Sequence, residues 1–172
     1  MKIMRFLMFC LLLFIGQATG GEYKLGAGDH IQITVYGEAD LATQIKIDKS
    51  GVISFPFLSD ITVIGLSTKN LESKIANGLR GDYLIDPQVT VSIVMYRPFF
   101  IHGQVKRPGG YPFQEDLTLD KAIAIAGGLA ARASKSSWNI TRLVDGKKAV
   151  FDANVSSVIL PDDIIEIEQS FF

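Results

Sequence analysis

Thiol chemistry is nearly absent from this sequence, since Cys10 is the one cysteine among 172 residues. A single cysteine excludes an internal disulfide and any zinc site built from paired cysteines. Histidine is equally scarce, with only His30 and His102. Neither has a serine, cysteine or carboxylate nearby at a spacing that suggests a triad. No basic run exceeds two residues and the net charge is −1, which makes nucleic acid and anionic membrane surfaces poor partners. Long apolar runs are missing too. The ten-residue uncharged stretch Phe6–Ile15 would reach only about 15 Å as a helix, too short to span a bilayer.

That short stretch has another use. Lys2 and Arg5 precede it, and Ala18-Thr19-Gly20 follows with small residues where a signal peptidase inspects the chain. Residues 1–20 are therefore expected to be a cleaved secretory signal, with the mature protein outside the cytoplasm. Bulky Met8 and Phe9 before Cys10, and a hydrophobic run continuing past it, argue against a lipidated cysteine. Removing Lys2 and Arg5 leaves 15 basic against 18 acidic residues, a net charge of −3. The remaining chain of about 150 residues suits one compact domain or two small ones.

The organising stretch runs from Pro98 to Ala130. Phe99, Ile101, Gly103 and Val105 alternate with Phe100, His102 and Gln104 at the period of a strand. Lys106-Arg107-Pro108-Gly109-Gly110 predicts a reversal, and Tyr111-Pro112-Phe113 the start of the return strand. Thr118 is a predicted N-cap, and Asp120 places negative charge at the positive end of the helix that follows. Leu119, Ala122, Ile123 and Ala126 form its apolar face, which Gly127-Gly128 ends. Further strands are predicted over Ser137–Val144, Ala149–Asp152 and Ile164–Glu168, the first two joined by an Asp145-Gly146 turn. The order ββαββ plus one strand is that of a β-grasp, a sheet wrapped around one helix.

The preceding half begins with Gly26-Ala27-Gly28-Asp29 feeding a strand in which Ile31, Ile33 and Val35 alternate with polar residues. A strand rather than a helix follows these glycines, so a tight turn fits better than a phosphate loop. Lys49-Ser50-Gly51 predicts a hairpin between Gln44–Asp48 and Val52–Phe55. Pro56 ends that strand, and Ile61–Ile64 makes another short one. Ser67 or Thr68 should cap a helix carrying Leu71, Ile75 and Leu79, with Gly81 near its end. Val89, Val91, Ile93 and Met95 then define one face of a strand. The fold class is α+β, in two small mixed domains over residues 21–97 and 98–172, the second β-grasp-like. A faint echo links the turn and strand after Leu25 with those after Leu160.

With both halves read, the sequence resembles the polysaccharide export family of outer-membrane-associated proteins. The first half is similar to that family's export domain through the Gly28-Asp29 strand, the Asp48–Pro56 segment around Gly51, the Gly65 turn and Pro87-Gln88-Val89. The second resembles a soluble-ligand-binding β-grasp (SLBB) domain through Gly103-Gln104-Val105-Lys106-Arg107-Pro108-Gly109, the Gly127-Gly128 pair, Arg142 and Asp163. The resemblance implies a periplasmic, homo-oligomeric ring that conducts capsule or exopolysaccharide from an inner-membrane copolymerase toward the outer membrane. Because the chain ends after one β-grasp domain, it resembles short members lacking a C-terminal membrane helix, so a separate outer-membrane β-barrel would supply the pore.

No enzyme activity, cofactor or metal is expected. His30 and His102 fall on the polar phase of their strands, and Asp162-Asp163 and Glu166/Glu168 read as a turn and a solvated edge. Aromatic faces stack on sugar rings, so Tyr96, Phe100 and Tyr111 are candidate glycan contacts, while Phe99 and Phe113 read as core. Lys106, Arg107, Pro108 and Gly109 form an exposed loop that could equally be a subunit contact. Two function classes stay open. One is a ring-forming conduit component; the other is a monomeric periplasmic module that binds a glycan or small ligand. A glycan-cleaving enzyme ranks last, since no pair of carboxylates is set across a cleft.

Overall fold

The computed structural model describes residues 23–144 and 146–170. The expected signal segment, residues 1–20 with Cys10, and Asp145 lie outside the described residues. The elements in chain order are β1 (His30–Val35), β2 (Glu38–Lys46), β3 (Val52–Ile53), β4 (Ile61–Thr62), α1 (Thr68–Leu79), β5 (Val89–Met95), β6 (Phe99–Gly103), β7 (Gly109–Tyr111), α2 (Leu119–Ile125), β8 (Ala133–Val144), β9 (Lys147–Asp152) and β10 (Ile164–Gln169). They form an α+β fold with two separate cores, one ending with Val91 and the next starting with Phe99.

In the first region β1 is the central strand of an antiparallel sheet ordered β2-β1-β5. Its alternation places Ile31, Ile33 and Val35 in the core. Helix α1 lies over this sheet with Leu71, Ile75 and Leu79 fully buried, each worth about 1.5–3 kcal/mol of apolar burial. Ser67 caps the helix by accepting from Asn70 N at 3.2 Å. Glu72 accepts from Val91 N at 2.9 Å, so the helix satisfies an N–H of edge strand β5 that would otherwise invite another strand.

The segment between β2 and β3 corrects the sequence reading. A turn does form, with Gly51 N donating to Asp48 O at 3.1 Å, but its flanks do not pair. β2 pairs with β1, whereas β3 pairs with β4 in a separate two-stranded sheet. Local turn chemistry cannot distinguish a hairpin from a strand switching sheets, because both need the same reversal.

In the second region five strands are ordered β7-β6-β10-β8-β9. The chain's last strand, β10, runs parallel to β6 with Ile165 opposite Ile101 and antiparallel to β8 with Ile165 opposite Ile140. Phe99, Ile101, Trp138, Ile140, Ile165 and Ile167 face α2, whose Leu119, Ala122 and Ile123 complete the β-grasp core. Two details differ from expectation. The return strand is β7, Gly109–Tyr111, so it starts before Pro112 and ends where that residue, lacking an N–H, could not continue the ladder. Thr118 is the N-cap by position, yet its hydroxyl bonds Asp120 and caps no backbone N–H.

Candidate functional site

The two regions meet at Arg97, and the chemistry there starts from a buried carboxylate. Asp29 closes the Gly26–Asp29 turn and has no exposed side-chain surface. Its oxygens accept from Gly26 N at 2.9 Å and from the Tyr23 hydroxyl, which lies 2.8 and 2.7 Å from the two of them. A buried carboxylate also needs a cation. Arg97 supplies it, with Nη1 donating to Asp29 Oδ2 at 2.9 Å and to the Tyr23 oxygen at 2.8 Å, while its backbone N donates to Asp29 Oδ1 at 2.9 Å. Gly26 leaves room for this, since a Cβ there would stand 2.3 Å from Nη1. The other side of the guanidinium reaches the second region. Nε lies 2.6 Å from Asp162 Oδ2, off the axis a hydrogen bond requires, so this contact is an ion pair. Arg97 thus spans Asp29 of one region and Asp162 of the other.

Aromatic rings extend this junction. Tyr23 meets Tyr96 edge-to-face at 5.0 Å, and Tyr96 meets Phe113 the same way at 5.3 Å. The Arg97 guanidinium stands 5.5 Å from the Tyr23 ring centre. The Tyr96 hydroxyl bonds the Glu115 carboxylate. Burial, and then that acidic partner, push the Tyr96 phenol up to about 12. Tyr23 is raised further, first by burial and then by its bond to Asp29. Both therefore stay neutral donors at physiological pH. Beside them opens a cavity of about 740 Å³, lined by Tyr23, Tyr96 and Arg97 on one side and by Phe113, Glu115, Arg142 and Leu160 on the other. Aromatic faces, two guanidinium groups and carboxylates converging on a cleft between domains are what a small polar ligand with apolar faces requires.

A second buried carboxylate supports the β-grasp region. Asp163 is fully buried and takes a two-pronged bond from Arg142, at 2.8 Å to Oδ1 and 2.7 Å to Oδ2, plus one from Leu160 N at 2.7 Å. The Arg142 guanidinium is raised chiefly by this bond. Asp162-Asp163 forms the expected turn, and the burial of Asp163, which the turn alone did not announce, is tolerated because Arg142 supplies the cation that a buried carboxylate needs. Asp162, 56% exposed in its side chain, pairs with Arg97. Among the described residues no cluster of three or more His, Cys, Asp or Glu side chains is arranged to hold a metal ion.

The structure divides the candidate contact residues between two places. Tyr96 lines the cleft. Phe100 lies on the open face of the β-grasp sheet, 43% exposed, over Gly110, where a Cβ would stand 2.9 Å from its ring. Lys106, Arg107, Pro108 and Gly109 are exposed; Gly109 opens β7 rather than belonging to the loop, and the loop before it is moored to the end of α2: Lys106 N bonds Gly128 O, Arg107 N bonds Ala126 O, and Arg107 Nη2 bonds Ile125 O at 3.1 Å. Tyr111 is held by its hydroxyl on Arg107 O at 2.6 Å and by its ring on Phe99. His30 is part-exposed and His102 exposed on their strands. Sequence reasoning missed Arg97, Glu115 and Tyr23. The available signal was the buried Asp29 itself, which must find a cation, although its partner is 68 residues away.

A family model described as polysaccharide biosynthesis/export protein matches residues 17–94, and a model of the SLBB domain matches residues 98–152. The exopolysaccharide production protein ExoF of Rhizobium meliloti (strain 1021) is 30% identical over 126 residues, covering 65% of this chain and 30% of its own. The EPS I polysaccharide export outer membrane protein EpsA of Ralstonia nicotianae is 25% identical over 188 aligned positions, covering 88% of this chain and 49% of its own. The polysialic acid transport protein KpsD of Escherichia coli is 26% identical over 110 residues, 63% of this chain and 20% of that protein. The chain thus spans about half or less of the length of these relatives. Among the described residues no helix is long and apolar enough to cross a membrane. With an export-domain match on the first core and an SLBB match on the second, the chain belongs to the polysaccharide biosynthesis/export family.

Proposed function

We propose that this chain works in the periplasm as a non-enzymatic component of a polysaccharide export machine. In this reading it forms or caps an oligomeric conduit that passes capsule or exopolysaccharide toward the outer membrane. An inner-membrane copolymerase and a separate outer-membrane β-barrel are the proposed partners, and residues 1–20 the signal that sends it there. The observation that carries the reading is the Arg97 buckle. An export domain and an SLBB domain fixed to each other through Asp29 and Asp162 form a unit that can repeat around a ring without its domains slipping. The relatives' export and transport names support the same role. The test is deletion of the coding sequence in the producing cell, with polymer measured inside and outside. Retained synthesis with lost extracellular polymer, restored by the gene, is the expected outcome; unchanged extracellular polymer in a strain without a second copy would overturn it.

The cleft of about 740 Å³ beside Tyr96 and Arg97 favours a second reading, a monomeric module that binds a glycan or small ligand. Native mass separates the two. A stable large oligomer supports the conduit, and a monomer that binds saccharide supports the module.

A further inference from the structure

Three non-glycine residues among those described have a left-handed backbone: Phe57, Asp116 and Asp162. Aspartate tolerates that region, but a bulky aromatic rarely enters it. The cause at Phe57 is the turn it occupies. Leu58 N donates to Phe55 O at 3.1 Å, with Pro56 second and Phe57 third at φ 67°, the position where such a turn normally carries glycine. The turn serves its neighbours. Phe55 is 3% exposed, and Leu58 packs so closely on Gly78 that a Cβ there would stand 2.8 Å from Leu58. Phe57 itself points outward at 61% exposure. Glycine at this position would set the turn equally well.

The exposed ring is not alone. It stacks on Tyr83 at 4.9 Å and 26° between planes, and Tyr83 is 49% exposed. Tyr83 stands on a backbone tied to the end of α1 through Tyr83 N and Leu84 N on Leu79 O, and Gly81 N on Leu84 O. Two rings on rigid supports make a preorganised platform. Exposed Ser59, Asp60 and Asp82 stand near the rings in sequence, as do exposed Pro56 and Ile85, so hydrogen-bonding groups and apolar surface lie side by side, as a ligand with an apolar face and a hydroxyl rim requires.

We infer that Phe57 and Tyr83 form a stacking platform for a pyranose ring, a contact between the export domain and passing polysaccharide that is distinct from the junction cleft. The inference rests on the export reading for its natural ligand. The platform accounts for a strained aromatic where glycine would suffice: the ring is retained for its exposed face.

The test pairs a binding arm with a cellular one. Cello-oligosaccharide and galacto-oligosaccharide are titrated into the purified chain while the Phe57 and Tyr83 ring resonances are followed by NMR. Shifts at both rings with at least one probe are expected, weakened roughly tenfold or more in Phe57→Gly with its melting temperature preserved. No ring shift with either probe, or equal affinity in Phe57→Gly, overturns the platform. An altered oligomeric mass in Phe57→Gly without ring shifts would make the surface a subunit contact and also overturn it. In cells, wild-type rescue of a deletion strain with Phe57→Gly failing supports the proposal. Full rescue by Phe57→Gly refutes the platform and leaves the export reading standing. A deletion without any export defect refutes the export reading, and the binding arm still decides the platform.

Discussion

Replacing Arg97 by glutamine should do more damage than its position between two domains suggests. The substitution removes the cation from Asp29, whose side chain is fully buried, while Arg97 is itself only 18% exposed. Breaking a buried ion pair on one side costs about 3–5 kcal/mol. Asp29 would keep Gly26 N, the Tyr23 hydroxyl and the backbone N of residue 97, so the lower end, about 3 kcal/mol, is expected. That is roughly a hundredfold in the folding equilibrium and about 6–12 °C in melting temperature for a chain of this size. The assay exploits a feature of the sequence: Trp138, the one tryptophan, is in the second core. Its fluorescence follows the β-grasp region alone, whereas circular dichroism follows both regions. In urea the wild-type signals should coincide. In Arg97→Gln the dichroism should begin to fall first, because the orphaned carboxylate sits in the first region. Adding Asp29→Asn should cost less than the two single changes together, since no buried charge remains. Coincident transitions with less than about 0.5 kcal/mol lost would refute the argument that Asp29 depends on this cation.

Two further outcomes follow from local geometry. Gly103→Ala should cost about 3 kcal/mol or prevent folding, measured by chemical denaturation, because φ is 83° and the new Cβ would stand 2.2 Å from Ile167 O, a backbone atom of β10. For Tyr96, the folded phenol is raised from 10.0 to about 12, so the folded state holds the proton more tightly. The resulting stability is complete below pH 10 and lost as pH rises through 12. Tyr96→Phe should therefore show a shallower loss of stability across that alkaline window, and equal slopes in the two proteins would contradict the assignment.

Much of this arrangement was legible in the sequence where burial and periodicity coincide. Ile31, Ile33 and Val35, the α1 face of Leu71, Ile75 and Leu79, and the α2 face of Leu119, Ala122 and Ile123 were readable because each repeats at the period of its element. The partnership of strands was less legible. Asp48–Gly51 has the composition of a hairpin turn, yet β2 and β3 join different sheets, a choice made by distant β1 and β4. The junction was hidden for the same reason. Arg97 marked only a boundary in sequence, while its role depends on Asp29 and Asp162, each tens of residues away. Phe57 gave no signal at all, because neither a backbone angle nor a stacked partner can be read from composition.

The internal echo is more than turn composition, and its register is one residue from where the sequence alone suggested. Leu25 corresponds to Ile159, Gly28 to Asp162, Asp29 to Asp163, and Ile31 and Ile33 to Ile165 and Ile167. Every pair except Gly28 and Asp162 is buried. Gly28 and Asp162 are both left-handed, at φ 103° and 69°, and each buried aspartate bonds the N–H three residues before it. The two copies differ at one chemically important place, since Asp162 has a carboxylate where Gly28 has none. That carboxylate holds Arg97. Asp162→Gly would relieve the left-handed strain, a gain of up to about 1 kcal/mol, and would lose an ion pair whose acid is 56% exposed, worth about 0–1 kcal/mol. The terms nearly cancel, so stability should change by less than about 1 kcal/mol. The orientation of the two regions should loosen, because Arg97 would then be held from one side only. Residual dipolar couplings measured separately on the two regions test this: one shared alignment tensor is expected for the wild type and two diverging tensors for Asp162→Gly. A shared tensor in the variant would show that the ring contacts through Tyr96 and Phe113 suffice to fix the domains, and that Asp162 does not.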